Sequence, residues 1–262
     1  MTMLIVLTSC TKADQCVSGV VTPAKAKAKA LVSKPTKPKD EIRVMVIDTG
    51  IDPHPALMKY LVYEKGEAYV DRHGHGTHVA GIIIYGNHQD SNPDPICDNV
   101  KIYSCKYFDS VKNLNAIGAG IRCLDKAVEL QIDYVNYSGG GPDYSVEEYK
   151  AWKRYIDSGG KAYVAAGNEK SDLRFKPYYP ASYGLPYGTF AQLTEIIPVA
   201  NIDTQDNLVP SSNFAPHLAS EVGLNVYSTM PDSTYGFMTG TSQAAPAKLH
   251  TILKRKCELL IS

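Results

Sequence analysis

The sequence has 262 residues, of which 44% are hydrophobic and 21% charged, with a formal net charge of zero and a pI of about 7.0. This length fits one large α/β domain or two small ones, with a sizeable core. The balanced charge argues against a nucleic-acid-binding protein, which normally carries a basic excess. No apolar stretch is long enough to form a membrane-spanning helix.

The first 21 residues are interpreted as an export segment. Met1 to Leu7 is apolar and runs into Leu7-Thr8-Ser9-Cys10, which is similar to the lipobox of bacterial lipoprotein signals. We therefore expect an exported protein that is periplasmic, extracellular or tethered to the outer membrane through a lipidated Cys10. The apolar run is short and no positive residue precedes it, so a frayed N-terminus with a chance cysteine is the alternative.

A linker and a folded domain follow. Residues 22–40 are rich in Lys, Ala and Pro and lack apolar periodicity, which predicts a solvated linker. The domain is expected over residues 41–262.

Within this domain, predicted strands alternate with predicted helices. Apolar runs predict strands over residues 42–47, 100–107, 132–137, 161–166, 195–200 and 224–228. Helices are expected over 75–85, 115–130 and 145–158, the last opened by a capping box at Ser145, and from Ser242 onward. This alternation predicts a three-layer α/β/α fold with a mostly parallel central sheet. Ligand sites in such folds lie at the carboxyl ends of the strands.

The cysteines leave two interpretations open. They stand at positions 10, 16, 97, 105, 123 and 257 and match no zinc-ribbon or thioredoxin-like spacing. An exported protein would pair some of them, and Cys97 with Cys105 is a candidate for a short loop closure. Six free thiols in a reducing compartment are the alternative.

Three segments carry the groups that acyl transfer through a covalent intermediate requires. Asp48 ends the first predicted strand, and His75 stands between glycines where a helix begins. Ser242 begins the last predicted helix, where its hydroxyl would lie at the positive end of the helix dipole and small neighbours leave room for substrate. An orienting acid, a base and a nucleophile are thereby supplied in the order Asp, His, Ser.

The segments VIDTGID, HGTHVAG and GTSQAAP, which contain these residues, resemble the three signature motifs of the subtilisin family. NYSGGGP at residues 136–142 is similar to the substrate-binding strand of the family, and AAGNE at residues 165–169 is similar to its oxyanion-hole segment. The resemblance covers roughly residues 42–255 and identifies the chain as a member of that family.

The resemblance implies a serine endopeptidase that hydrolyses polypeptides through an acyl-enzyme. Ser242 would attack the scissile carbonyl, His75 would transfer the proton, and Asp48 would orient His75. The side-chain amide of Asn168 would bind the oxyanion together with the Ser242 N–H. An extended peptide would pair with the strand Ser138, Gly139 and Gly140, and one wall of the specificity pocket would be Ala165, Ala166 and Gly167.

The resemblance also sets expectations about cofactors and assembly. No cofactor is required for catalysis, and a structural calcium ion at Asp52 or in the oxygen-rich loop at residues 87–94 is left open. The first 40 residues are too short and too polar for the folded propeptide of the family. We expect a monomer.

Two other functions remain open at this point. His73, His75 and His78 form an H-x-H-x-x-H pattern that can bind zinc in metal-dependent hydrolases, although Thr77 stands where such enzymes usually place an aspartate. The family resemblance instead makes His78 structural. A catalytically silent binding module is the second alternative, favoured by the unusual Gln243 and Ala245 after Ser242 and by Gly139.

Overall fold

The computed structural model describes residues 37–63, 66–87, 95–109, 115–188 and 190–261. They belong to one compact unit, Thr36–Ser262. The export segment with Cys10 and nearly all of the predicted linker lie outside the described residues, so their interpretation stays a prediction. No helix in the described ranges is both long and apolar enough to cross a membrane.

Six parallel strands form the central sheet in the order β2-β1-β3-β4-β5-β6. They are β1 Ile42–Asp48, β2 Val100–Lys106, β3 Tyr134–Tyr137, β4 Lys161–Ala165, β5 Ile196–Ile202 and β6 Ala219–Val222. A separate antiparallel hairpin pairs β7 Val226–Met230 with β8 Thr234–Met238. The helices are α1 His75–Tyr85, α2 Ala116–Glu129, α3 Val146–Asp157 and α4 Thr241–Ile261, with short 3₁₀ turns at Glu67–Tyr69 and Ala181–Gly184.

Strand β1 shows why helices cover both faces of the sheet. Val44 and Val46 belong to the core that contains the buried side chains of α1 and α4. Met45 and Ile47 belong to the core formed with α2 and α3. Successive side chains of a strand point to opposite faces, so a strand that is apolar on both faces must be covered twice. The predicted three-layer α/β/α fold with a parallel sheet is confirmed.

The sequence did not distinguish the central sheet from the hairpin. The strand predicted at residues 224–228 is β7, and it pairs with β8 instead of joining the parallel sheet. Neither β8 nor β6 was predicted. Their sequences, TYGFM and ASEV, are partly or fully exposed and contain no apolar run long enough to indicate a strand.

The predicted capping box at α3 forms only in part. The Ser145 Oγ accepts a hydrogen bond from the Glu148 N–H at 3.2 Å, which fixes the start of the helix where the sequence predicted it. The Glu148 carboxylate is buried and accepts a hydrogen bond from the Tyr183 hydroxyl at 3.0 Å. This burial raises the pKa of Glu148.

The predicted pairing of Cys97 with Cys105 is wrong. Cys97 is bonded to Cys257 on α4, and Cys105 on β2 is bonded to Cys123 on α2. Residues 100–104 of β2 lie between Cys97 and Cys105, and the extended stretch from Val100 to Cys105 alone spans about 17 Å. Such a separation is far beyond the reach of a disulfide.

Candidate active site

Parallel strands bring most of the predicted site residues to one edge of the sheet. β1, β3 and β4 are neighbours, so their carboxyl ends lie side by side. Asp48 ends β1, Ser138 follows β3 directly, and the segment 166–168 follows β4. Hydrogen bonds of Asp71 hold the first turn of α1 at this edge, and hydrogen bonds of Ser138 and Asn168 hold the first turn of α4 there.

Asp48 and His75 form a hydrogen-bonded pair in which the carboxylate is buried and the imidazole is partly buried. The Asp48 Oδ1 lies 2.8 Å from the His75 Nδ1 and also accepts the Thr49 N–H at 2.7 Å. Because a carboxylate only accepts, Nδ1 carries the proton and the His75 Nε2 is the basic nitrogen of the neutral ring. Burial disfavours the imidazolium, but the charge and hydrogen bond of Asp48, together with the charge of Asp71, outweigh it and raise the pKa of His75.

Asp71 connects the loop that follows Asp48 to the helix that carries His75, a role that the sequence did not indicate. Its buried Oδ1 accepts hydrogen bonds from the Thr49 hydroxyl at 2.9 Å and the Gly74 N–H at 2.8 Å. Its Oδ2 accepts the N–H and the hydroxyl of Thr77 at 2.9 and 2.6 Å. One carboxylate therefore fixes the residue after Asp48 and the first turn of α1.

Gly76 lets these two segments approach each other closely. A Cβ at this position would lie 2.0 Å from the carbonyl oxygen of Gly50, so no larger residue fits without moving the backbone. The Gly76 N–H donates to the Thr49 hydroxyl at 2.9 Å. The close approach of the Gly50 carbonyl oxygen therefore explains why a glycine follows His75 in the sequence motif.

Ser242, the second residue of α4, is attached to the segment after β3. Its Oγ donates to the Ser138 carbonyl oxygen at 3.1 Å, and the Ser138 Oγ donates to the Ser242 carbonyl oxygen at 2.8 Å. Among the residues that the structure describes, no hydrogen bond joins the Ser242 Oγ to the His75 ring. Such bonds are often long in enzymes without substrate and tighten when substrate binds.

The side-chain amide of Asn168 is oriented by Thr241. The Asn168 Oδ1 accepts the Thr241 N–H at 3.0 Å and lies 3.2 Å from the Thr241 hydroxyl. The same hydroxyl accepts the Gly167 N–H at 3.1 Å. With its oxygen engaged, the exposed Asn168 presents its NH₂ group as a donor beside the first turn of α4. The sequence did not indicate this role of Thr241, because its partners are more than seventy residues away.

The predicted substrate strand runs beside a cavity at the catalytic edge. This cavity, of about 400 Å³, is bounded by His75, Ser138 and Gly140 and by the aromatic rings of Tyr107 and Phe108. A Cβ on Gly139 would lie 1.9 Å from the Tyr107 hydroxyl. A larger residue at position 139 would therefore require the Tyr107 ring to move. Ala165 ends β4, Ala166 and Gly167 follow it, and all three residues are buried.

The three histidines do not converge into a zinc site. The His78 Nε2 lies 3.1 Å from the carbonyl oxygens of both Val226 and Gly236, so it carries a proton and donates. The His75 Nδ1 is bonded to Asp48. Within the described ranges, no three His, Cys, Asp or Glu side chains are grouped so that they could hold a metal ion. The zinc alternative is therefore wrong, and His78 has the structural role expected from the resemblance.

The residues suggested for calcium are only partly described. The Asp52 Oδ2 accepts the Asp232 N–H at 3.3 Å, and burial is the main cause that raises the pKa of Asp52. Within the described ranges, Asp52 belongs to no group of three His, Cys, Asp or Glu side chains that could hold a metal ion. Residues 88–94 of the oxygen-rich loop lie outside them, so a calcium site there stays a prediction.

Comparisons with known proteins agree with this geometry. A family model described as "Subtilase family" matches residues 39–247. The "Major intracellular serine protease" of Bacillus subtilis (strain 168) is 32% identical over 234 residues, which cover 84% of this chain and 69% of that protein. "Subtilisin DY" of Bacillus licheniformis is 31% identical over 216 residues, covering 78% and 73%. A solved cold-adapted subtilisin-like serine proteinase superimposes with a TM-score of 0.67 at 24% identity, covering 83% of this chain and 76% of the other.

Proposed function

The chain belongs to the subtilase family of serine-type endopeptidases, and we propose that Asp48, His75 and Ser242 are its catalytic triad. The observation that carries this proposal is the 2.8 Å hydrogen bond between the buried Asp48 carboxylate and the His75 Nδ1. In the neutral ring this bond holds the proton on Nδ1, so that the His75 Nε2 is the nitrogen that accepts the proton of the serine.

In the proposed reaction the Ser242 hydroxyl first turns from the Ser138 carbonyl towards the His75 Nε2. The Ser242 Oγ then attacks the scissile carbonyl carbon while His75 takes its proton. When the C–N bond breaks, His75 gives this proton to the leaving amine, and an ester of Ser242 remains. Water hydrolyses the ester with His75 again as the base, which restores the free serine.

Charge develops on the carbonyl oxygen during both steps. We propose that the Asn168 NH₂ group and the Ser242 N–H donate hydrogen bonds to this oxyanion. The fixed orientation of the Asn168 amide against Thr241 supports the assignment, since a preorganised donor need not reorient as the reaction proceeds.

An extended peptide is proposed to bind along Ser138, Gly139 and Gly140 by adding a strand. The cavity bounded by Tyr107, Phe108 and His75 supports this assignment, because it opens beside that strand next to the proposed base. Polypeptides are the substrate class of the family, and its members need no cofactor for catalysis.

Burst kinetics test the acyl-enzyme. A nitrophenyl ester should release about one equivalent of nitrophenol per enzyme in a fast phase before the slower steady state. Ser242→Ala should abolish the burst and the cleavage of a denatured protein substrate. Steady hydrolysis without a burst, equal in wild type and Ser242→Ala, would refute the proposed nucleophile.

The hydrogen bond from the Ser242 Oγ to the Ser138 carbonyl oxygen adds to the sequence features that favour the silent binding module. The same experiment decides between the two functions. A folded wild type that shows neither a burst nor cleavage of the denatured protein would support the binding module.

We further propose that the chain is exported and acts as a monomer. The two disulfides, Cys97–Cys257 and Cys105–Cys123, support an oxidising compartment. The tether through a lipidated Cys10 and the division into residues 1–21, 22–40 and 41–262 remain proposals from the sequence. Intact mass without reductant, on protein from its native source, tests the disulfides and the lipid together, and size-exclusion chromatography tests the monomer.

A further inference from the structure

One aromatic ring lies between the two segments that we propose to enclose the substrate. A Cβ built on Gly140 would lie 2.5 Å from the Cε1 of Tyr178, and one built on Gly167 would lie 3.0 Å from its Cγ. The attached end of the ring is thus next to Gly167 and the far side next to Gly140. The ring of Tyr178 spans the gap between the proposed substrate strand and the proposed pocket wall.

The backbone holds Tyr178 in this place. Its N–H donates to the Ser182 hydroxyl at 3.0 Å, and its carbonyl oxygen accepts the Ser182 N–H at 2.8 Å. The next residue, Tyr179, exchanges two backbone hydrogen bonds with Gly141 at 2.7 and 3.0 Å. Burial, with a smaller contribution from the Glu169 charge, raises the pKa of Tyr178 to about 12, so the ring is neutral at physiological pH.

Tyr178 also stands between two cavities. The cavity of about 400 Å³ beside His75 includes Gly140 in its lining. A second cavity of about 370 Å³ is lined by Tyr178 together with Pro142, Glu169 and Lys176. These two cavities have no lining residue in common among the described residues, and the contact between Gly140 and the Tyr178 ring lies between them.

We infer that Tyr178 closes the primary specificity pocket, so that the protease accepts only a small side chain, as of Gly, Ala or Ser, at the residue whose carbonyl is attacked. This inference rests on the proposed function. A Leu or Phe side chain placed between Gly140 and Gly167 would need the volume that the Tyr178 ring already fills. Removing the ring would join the gap to the second cavity and admit large apolar side chains.

The test uses peptide p-nitroanilides that differ only in the last residue, which is Ala, Leu or Phe. For wild type, kcat/KM should be at least about tenfold higher with Ala than with Phe, the range by which pockets discriminate side chains of different size. Tyr178→Ala should raise kcat/KM for the Phe substrate at least about tenfold and change that for the Ala substrate much less. Tyr178→Phe, which keeps the ring, is the matched control and should retain the wild-type preference.

Active-site titration by the nitrophenyl ester burst corrects every rate for the fraction of folded enzyme. A normal burst in a wild type that prefers Phe or Leu to Ala would overturn the role of Tyr178 alone. The role of Tyr178 would also be overturned if Tyr178→Phe changed the substrate preference as much as Tyr178→Ala does. If Tyr178→Ala does not fold, the wild-type and Tyr178→Phe profiles still decide. No burst in folded wild type would overturn the proposed function and this inference with it.

Discussion

Replacing Asp71 by asparagine removes one charge and one acceptor while it keeps the shape of the side chain. The amide oxygen of the new side chain can still accept from the Thr49 hydroxyl and the Gly74 N–H, as the Asp71 Oδ1 does. The new NH₂ group would face the Thr77 N–H, which now donates to the Asp71 Oδ2 at 2.9 Å. Two donors would then face each other in a buried site.

The expected loss of stability follows from these contacts. A buried N–H without an acceptor costs about 1–3 kcal/mol, and the remaining hydrogen bonds lose the strengthening that a charged acceptor gives. We expect Asp71→Asn to lower the free energy of unfolding by about 3 kcal/mol. Removal of the negative charge should also lower the pKa of His75, because Asp71 contributes to raising it.

Urea unfolding measures the stability, with both proteins carrying Ser242→Ala so that self-digestion does not interfere. Asp203→Asn is the matched control. The half-buried Asp203 also accepts backbone N–H groups, from Gln205 and Asn207, and asparagine can keep both bonds. We expect Asp203→Asn to lower the free energy of unfolding by less than about 0.5 kcal/mol.

The pH dependence of kcat/KM measures the second effect in enzyme that retains Ser242. The inflection on the acidic side should move to lower pH in Asp71→Asn. If the free energy of unfolding of Asp71→Asn lay within about 0.5 kcal/mol of that of its parent and the inflection were unchanged, the proposed role would be refuted. Asp71 would then not hold the loop after Asp48 and the first turn of α1 together.

Four further predictions follow from the site and the disulfides. Asp48→Asn should lower kcat by about 10⁴ in a protein with unchanged circular dichroism, the size seen for this change in another serine protease; a loss below tenfold would contradict the orienting role. Asn168→Ala should lower kcat by about 10²–10³ with little change in KM, the size that loss of an oxyanion-hole amide has in subtilisin; a rise in KM alone would point to substrate binding. In wild type, kcat/KM should rise with pH as His75 loses its proton, with an inflection above 6.5 because its pKa is raised; an inflection below that value would contradict the Asp48 contact. Removing Cys97–Cys257 should lower the free energy of unfolding by about 5 kcal/mol and removing Cys105–Cys123 by about 3 kcal/mol, measured by urea unfolding. The separations are 160 and 18 residues, and a disulfide that closes a longer loop restricts the unfolded chain more. The reverse order would contradict this explanation.

Local signals in the sequence were sufficient for the main elements of the fold. Helix α1 begins at His75 and ends at Tyr85 as predicted, and Ser145 caps α3 as its spacing indicated. A long apolar run such as β1 can be recognised in the sequence because both faces of the strand are buried and carry apolar residues. The short polar strand β6 at the edge of the sheet gives no such signal.

The parts of the site that the sequence did not indicate depend on contacts between distant segments. Thr241 orients Asn168 across 73 residues, and Asp71 acts through hydrogen bonds that form only when α1 lies against the loop after β1. The position of Tyr178 between Gly140 and Gly167 is another such contact. Each of these residue types is common in loops, so their roles become visible only in the folded chain.

Labelling with a fluorophosphonate, followed by intact-mass measurement, tests most directly whether Ser242 is an activated nucleophile. We predict a single adduct on wild type that peptide mapping places on Ser242, that is absent from Ser242→Ala, that slows strongly in His75→Ala and that EDTA does not affect. No adduct on a folded wild type, or one that persists in Ser242→Ala, would contradict the account.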